Sequence, residues 1–93
     1  NVDKLVNESQ SVIQVFPQPV SGVSNIYIKL NNSSALATFQ ITDMTGRVIA
    51  QKPLVAGENE FEFNGQGFSN GLYYGFITQN GIFETGTQII VVK

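Results

Sequence analysis

Few side chains in this sequence are of a kind that does chemistry, and their spacing argues against catalysis. There is no histidine and no cysteine among the 93 residues. Nucleophile–histidine triads, thiolate chemistry and the common zinc sites therefore fall away. Asp43-Met44-Thr45-Gly46 has one residue too many for an aspartic-protease turn, and the only other aspartate is Asp3, so no carboxylate dyad is formed. Asp43 reads instead as a turn former whose carboxylate bonds forward to backbone N–H groups, with Gly46 taking the awkward φ. Glu58, Glu60 and Glu62 fall on one face of a strand pattern and read as the solvated side of an edge strand, not as a calcium or glycosidase cluster. Gly65-Gln66-Gly67 has too few glycines, and no lysine or helix after it, to cradle a phosphate. The aromatic side chains Tyr73, Tyr74, Phe76 and Phe83 could stack on sugars, but core packing is the plainer reading. Asn7-Glu8-Ser9, Asn31-Asn32-Ser33 and Asn32-Ser33-Ser34 match an N-glycosylation pattern too short to be specific. The sequence contains no visible enzyme and implies no cofactor.

The elements that would position these residues are strands throughout. Val12–Phe16 is a short apolar run that stops at Pro17, with Pro19 two residues on, marking a strand end or a switch between sheets. Asn25–Leu30 alternates with Ile26, Ile28 and Leu30 on one face, and Ala35–Thr42 with Ala37, Phe39 and Ile41 on one face. Asn31–Ser34 is a polar turn between them. After the Asp43–Gly46 turn, Arg47–Lys52 returns and Pro53 ends it; Val55-Ala56-Gly57 turns into Glu58–Phe63, in which Phe61 and Phe63 alternate with Glu60 and Glu62. A glycine-rich loop, Asn64–Asn70, leads to the two longest runs, Leu72–Thr78 and Phe83–Val92. Asn80-Gly81 between them is the preferred pair for a two-residue hairpin turn, because both residues must reach positive φ. A tight turn would set Phe76 opposite Thr85 and Gly75 opposite Gly86, leaving a shallow spot where another backbone could approach. About seven strands at intervals of 8–12 residues with no helical period predict an all-β protein, an antiparallel Ig-like β-sandwich with little or no helix.

Composition sets the same bounds. Residues 11–93 suit one domain, and Asn1–Gln10, polar and aperiodic, read as a linker from an upstream domain. A hydrophobic fraction of 42% argues against disorder, and a charged fraction of 13% with 9 glycines suits short strands and tight turns. A net charge of −2 with no basic patch gives nucleic acid nothing to hold. No apolar run approaches the ~20 residues that span a bilayer, and the first ten residues do not resemble a signal peptide. An unprotected edge strand would allow a weak homodimer.

Four motifs in order carry a family resemblance. They are Val15-Phe16-Pro17-Gln18-Pro19, then Ile41-Thr42-Asp43-Met44-Thr45-Gly46-Arg47-Val48, then Asn70-Gly71-Leu72-Tyr73-Tyr74, then Ile89-Ile90-Val91-Val92-Lys93. Together, over about Ser11 to Lys93, they resemble the C-terminal sorting domains of proteins exported by the type IX (Por) secretion system of the Bacteroidetes. The chain departs from the pattern at Gln18, where the family usually has asparagine, and at Thr85-Gly86-Thr87-Gln88, which lacks a frequent lysine pair. Gly75 stands where an aliphatic residue is usual and Phe76 where a polar one is usual. The family pattern turns Tyr73 and Ile77 inward, whereas plain alternation favours Leu72, Tyr74 and Phe76. The face left outside is then a candidate docking surface.

The resemblance implies a non-catalytic address label. Cargo upstream of the domain would cross the inner membrane by its own signal peptide, fold, be recognised in the periplasm by the type IX translocon, and reach the cell surface or medium. A sortase-like peptidase would cut within Asn1–Gln10 and join cargo to a surface lipopolysaccharide. The recognition residues implied are Pro17, Pro19, Asp43, Gly46, Gly71, Tyr73, Ile89, Ile90, Val91, Val92 and Lys93. The runner-up is an accessory carbohydrate-binding or fibronectin-like module of a secreted hydrolase; the absence of tryptophan weighs against it, and an exposed row of Tyr74, Phe76 and Phe83 would favour it. An adhesin repeat lacks any internal repetition.

Overall fold

The computed structural model describes residues 11–31 and 36–93. The linker and its cleavage region, the glycosylation matches at Asn7 and Asn32, and most of the Asn31–Ser34 turn lie outside the described residues. Seven strands follow one another: β1 Val12–Phe16, β2 Val23–Lys29, β3 Ala37–Thr42, β4 Val48–Pro53, β5 Glu58–Asn64, β6 Gly71–Gln79 and β7 Ile82–Val91. The one helical element among the described residues is a single 3₁₀ turn, Gly65–Gly67. The strands form two antiparallel sheets, β1-β2-β5 and β4-β3-β6-β7. Alternating apolar positions of both sheets meet between them, as an Ig-like sandwich requires.

The core confirms the sequence periodicity in most strands. Ile26, Ile28 and Leu30 face Phe39, Ile41 and Ala37 across the sandwich, and Phe63, Ile77, Ile89 and Val91 complete the interior. Glu58, Glu60 and Glu62 lie exposed along β5, the edge of the smaller sheet, as expected. Tyr73 opens β6 in the manner of an Ig-type tyrosine corner: it is buried and its hydroxyl donates to the Ser69 carbonyl at 2.7 Å. Phe68 packs between the Phe63 ring and the Tyr73 ring, fixing the loop that precedes the strand.

Two readings of the terminal hairpin are corrected. The turn itself is as expected: Asn80 and Gly81 have φ of 55° and 81°, and Gln79 pairs with Ile82. Pairing then slips, because Thr78 opposes Phe83 but Ile77 opposes Thr85, leaving Glu84 as the extra residue of a bulge. Phe76 consequently faces Gly86, and Gly75 faces Thr87, so the two glycines are not opposed. The bulge has a physical cause. The Glu84 carboxylate accepts from the Ser11 N–H at 3.0 Å, the Ser11 hydroxyl at 2.9 Å and the Gln79 amide at 2.7 Å, pulling it out of the alternation.

The second correction concerns the face of β6. Tyr73, Gly75 and Ile77 are inward, while Tyr74 is outward and Leu72 and Phe76 are half-buried, so of the two faces the sequence left open the family pattern names the core one and plain alternation the other. Gly75 hid the true one: a Cβ there would stand 2.6 Å from Cζ of Phe39, so the core is filled at that position from the neighbouring strand. Core packing therefore holds for Tyr73 but not for Tyr74 and Phe83, which are exposed.

Candidate functional site

The topology gathers the four separated motifs at one end of the sandwich. β1 ends at Phe16, opposite Asn25 near the start of β2, and Val23 is opposite Asn64 at the end of β5. In the other sheet Thr42 at the end of β3 lies opposite Tyr74 near the start of β6, and Gly71 lies opposite Val91 at the end of β7. Val20 joins the two sets, forming a parallel bridge with Val91. The opposite end carries Val12, Lys29, Glu58, Pro53 and the Asn80-Gly81 turn.

The proline motif is the crossing from one sheet to the other. Both Phe16-Pro17 and Gln18-Pro19 are cis peptides, and the prolines are exposed. Lacking N–H groups, they end the β1 ladder without leaving donors unpaired. The Pro17 carbonyl accepts from the buried Ser24 hydroxyl at 2.6 Å. Gln18 holds the far side: the Ile90 N–H donates to its Oε1 at 2.7 Å. Val20, fully buried, donates its N–H to the Ile90 carbonyl and accepts from the Val92 N–H at 2.9 Å. The motif thus acts as a short eighth ladder segment along the end of β7.

The Asp43 turn is built as the sequence suggests. One carboxylate oxygen accepts from the Thr45 N–H at 2.9 Å, the Thr45 hydroxyl at 2.6 Å and the Arg47 N–H at 3.1 Å. The Gly46 N–H bonds the Asp43 carbonyl at 3.0 Å and Gly46 has φ of 89°. The Thr45 hydroxyl, ahead of the backbone N–H groups and the Arg47 charge, holds the Asp43 carboxyl below its ordinary value of 3.8. Arg47 Nε lies 3.4 Å from the other oxygen. An exposed pair like this contributes little stability but presents a fixed charge arrangement. The turn borders an open hollow of about 390 Å³ whose other wall is Gly67, Phe68, Ser69 and Tyr73.

The chain end is tied to the same pole. The Lys93 N–H donates to Asn70 Oδ1 at 3.0 Å, and its ammonium reaches the Gln66 carbonyl at 3.4 Å. Gln66 in turn donates from its amide to the Ser21 carbonyl at 3.0 Å, so the glycine-rich loop braces both the proline crossing and the terminal strand.

The residues singled out from sequence divide by exposure. Tyr73, Ile89 and Val91 are buried; Pro17, Pro19, Gly46, Gly71, Ile90, Val92 and Lys93 are exposed, and Asp43 is half-buried. Val20, Ser24 and Gln66 escaped the sequence reading as site residues, and Asn70 entered it only as the start of a motif. Val20 had a faint trace, an apolar residue following a proline, but the others depend on partners 7 to 45 positions away. No group of three or more acidic or other metal-ligating side chains is placed to hold a metal ion among the described residues.

Comparison with known proteins bears on the whole of this region. A family model described as a secretion system C-terminal sorting domain matches residues 14–93, which includes all four motifs. No curated protein matches the chain.

Proposed function

The chain belongs to the C-terminal sorting domains of the type IX secretion system, and from that membership we propose that the motif-bearing pole is the surface its export machinery reads. As a sorting domain it directs export to the cell surface or the extracellular space. The carrying observation is convergence: motifs spread from Val15 to Lys93 meet at one end, while Ser11, where upstream chain attaches, is anchored at the other by Glu84. β7 alone is 10 residues long, or about 33 Å at ~3.3 Å per residue. Cargo joined at Ser11 therefore leaves the reading pole clear.

In this reading the exposed members Pro17, Pro19, the Asp43–Gly46 turn, Gly71, Ile90, Val92 and Lys93 contact the translocon. Tyr73, Ile89 and Val91 act through the core by holding them in place. Pro17 and Pro19 give a rigid apolar corner, and the Asp43 turn gives a set charge pattern, which together favour orientation as well as affinity. The free edge of β4 offers backbone donors and acceptors for strand addition by a component of the machinery or, weakly, by a second copy. Release falls in residues 1–10, where a sortase-like peptidase separates cargo and transfers it to a surface lipopolysaccharide.

The test is export of a reporter carrying a signal peptide and this domain, in hosts with and without a working type IX system. Deleting residues 89–93 would remove two core side chains and confuse recognition with folding. Surface variants avoid this: Val92→Asp and Arg47→Glu should leave the melting temperature unchanged and hold the reporter in the periplasm. Normal export of both variants together would refute the assignment of this pole. Periplasmic retention of the unmodified fusion in the competent host would refute the sorting role itself.

A further inference from the structure

The outer face of the four-stranded sheet is chemically unlike the rest of the molecule. Outward positions alternate along β3 from Thr38 to Thr42, along β6 from Leu72 to Thr78, and along β7 from Gly86 to Ile90, and none of them is charged. Gln51 continues the same character on β4, where it bonds the Gln40 amide at 2.9 Å. The outer face of the smaller sheet, by contrast, carries Lys29, Glu58, Glu60 and Glu62. Low charge on an exposed sheet is an aggregation liability unless the face has an occupant.

A groove of about 440 Å³ runs over this face. Tyr74 is 42% exposed and Phe83 62%, and the Phe76 and Phe83 rings lie 5.9 Å apart with their planes inclined at 42°. Gly86 opposes Phe76 and forms the floor: a Cβ there would come within 3.1 Å of both the Gly75 carbonyl oxygen and the Phe76 Cβ. The bulge at Glu84 is what brings Gly86 into that position, because an unbroken ladder would set it against Gly75. Tyr74 lies in register between Thr42 and Gln88, so its neighbours on both adjacent strands are uncharged residues with hydrogen-bonding side chains, Thr42 being buried.

We propose that this groove is a binding site for a neutral saccharide. A pyranose presents an apolar C–H face and an edge of hydroxyl groups. The first meets the negative face of an aromatic ring, and the second meets neutral amides and hydroxyls. Tyr74, Phe76 and Phe83 supply the rings, Thr42 and Gln88 the polar partners, and Gly86 the depth. The groove lining carries no charged side chain, and a neutral sugar requires none. The size and apolar lining with a few polar groups match a small-ligand cleft. This role is separate from sorting: the groove faces outward from the sheet, and although Thr42 and Tyr74 stand in the quoted motifs, none of the residues assigned above to translocon contact lines it.

The experiment is calorimetric titration of the chain with cellohexaose and chitohexaose, alongside tyrosine emission. At least one sugar should bind. Tyr74→Ala and Phe83→Ala should each weaken it about tenfold or more, equivalent to about 1.4 kcal/mol, while Glu60→Gln on the other sheet changes nothing. Both ring positions are exposed, so these variants should keep the parent melting temperature, and export of a variant-carrying reporter should be unaffected. Absence of binding by either sugar at millimolar concentration would overturn the proposal, as would unchanged affinity in the Tyr74→Ala/Phe83→Ala double variant. Self-association abolished by that double variant but not displaced by sugar would overturn it in favour of a second copy.

Discussion

Replacing Gly75 by alanine tests which face of β6 is core, and hence which aromatic side chains are free to bind. Gly75 has extended backbone with no positive φ, so alanine would adopt its conformation without strain. Considered locally, the change should stabilise the strand by ~0.5–1 kcal/mol, because alanine loses less backbone entropy on folding. Tertiary packing opposes it. The new Cβ would lie 2.6 Å from Phe39 Cζ and 3.0 Å from both Phe39 Cε1 and Ile89 Cδ1. Phe39 is 1% exposed, and its ring packs on Phe61 at 5.8 Å, so it has little room to withdraw. Forcing an extra carbon into such a site costs ~1–3 kcal/mol. Overpacking outweighs the entropic gain, for a net loss of about 1 kcal/mol and a fall in melting temperature of about 4–8 °C for a domain of this size. Calorimetry with denaturant unfolding measures it. In a Phe39→Leu background the same substitution should become neutral or stabilising, giving a clear coupling energy. An unchanged or raised melting temperature for Gly75→Ala alone would refute the packing argument, and with it the assignment of Tyr74 and Phe76 to the outside.

Three further outcomes are expected. Asp43→Asn should destabilise the protein near neutral pH; because the folded carboxyl titrates below 3.8, its contribution is present above that value and is lost as pH falls through the lower folded one, so the difference from the parent should close only in acid, as denaturation across a pH series would show. Glu84→Ala removes the acceptor for Ser11 and Gln79 and should cost about 1–2 kcal/mol, with faster hydrogen exchange at the Ser11 amide while the Ile77 amide stays protected. Gly65→Ala would set a Cβ 2.8 Å from Val20 Cγ1 and 3.2 Å from the Gly22 carbonyl oxygen, and should lower stability by about 1–2 kcal/mol and speed exchange at the Val20 and Val92 amides, which hold the proline crossing to β7.

Much of this protein is written in short-range sequence. Alternation of Ile26, Ile28 and Leu30 and of Ala37, Phe39 and Ile41 named the core faces of β2 and β3, because a strand repeats every two residues and each of these faces one sheet partner. The Asp43 and Asn80-Gly81 turns were equally legible, since their bonds and φ values depend on residues within four positions. What sequence order could not decide was set by atoms distant along the chain. Glu84 bulges because Ser11, 73 residues away, donates to it, and that one residue shifts the register of β7 against β6. Gly75 is inward because a phenylalanine of another strand fills its space. The four motifs are recognisable in the sequence by their order, but their meeting at one pole follows from strand direction and from the Val20 bridge to Val91. The neutral aromatic groove likewise appears only when β3, β6 and β7 lie side by side, because register, not composition, sets Tyr74 between Thr42 and Gln88.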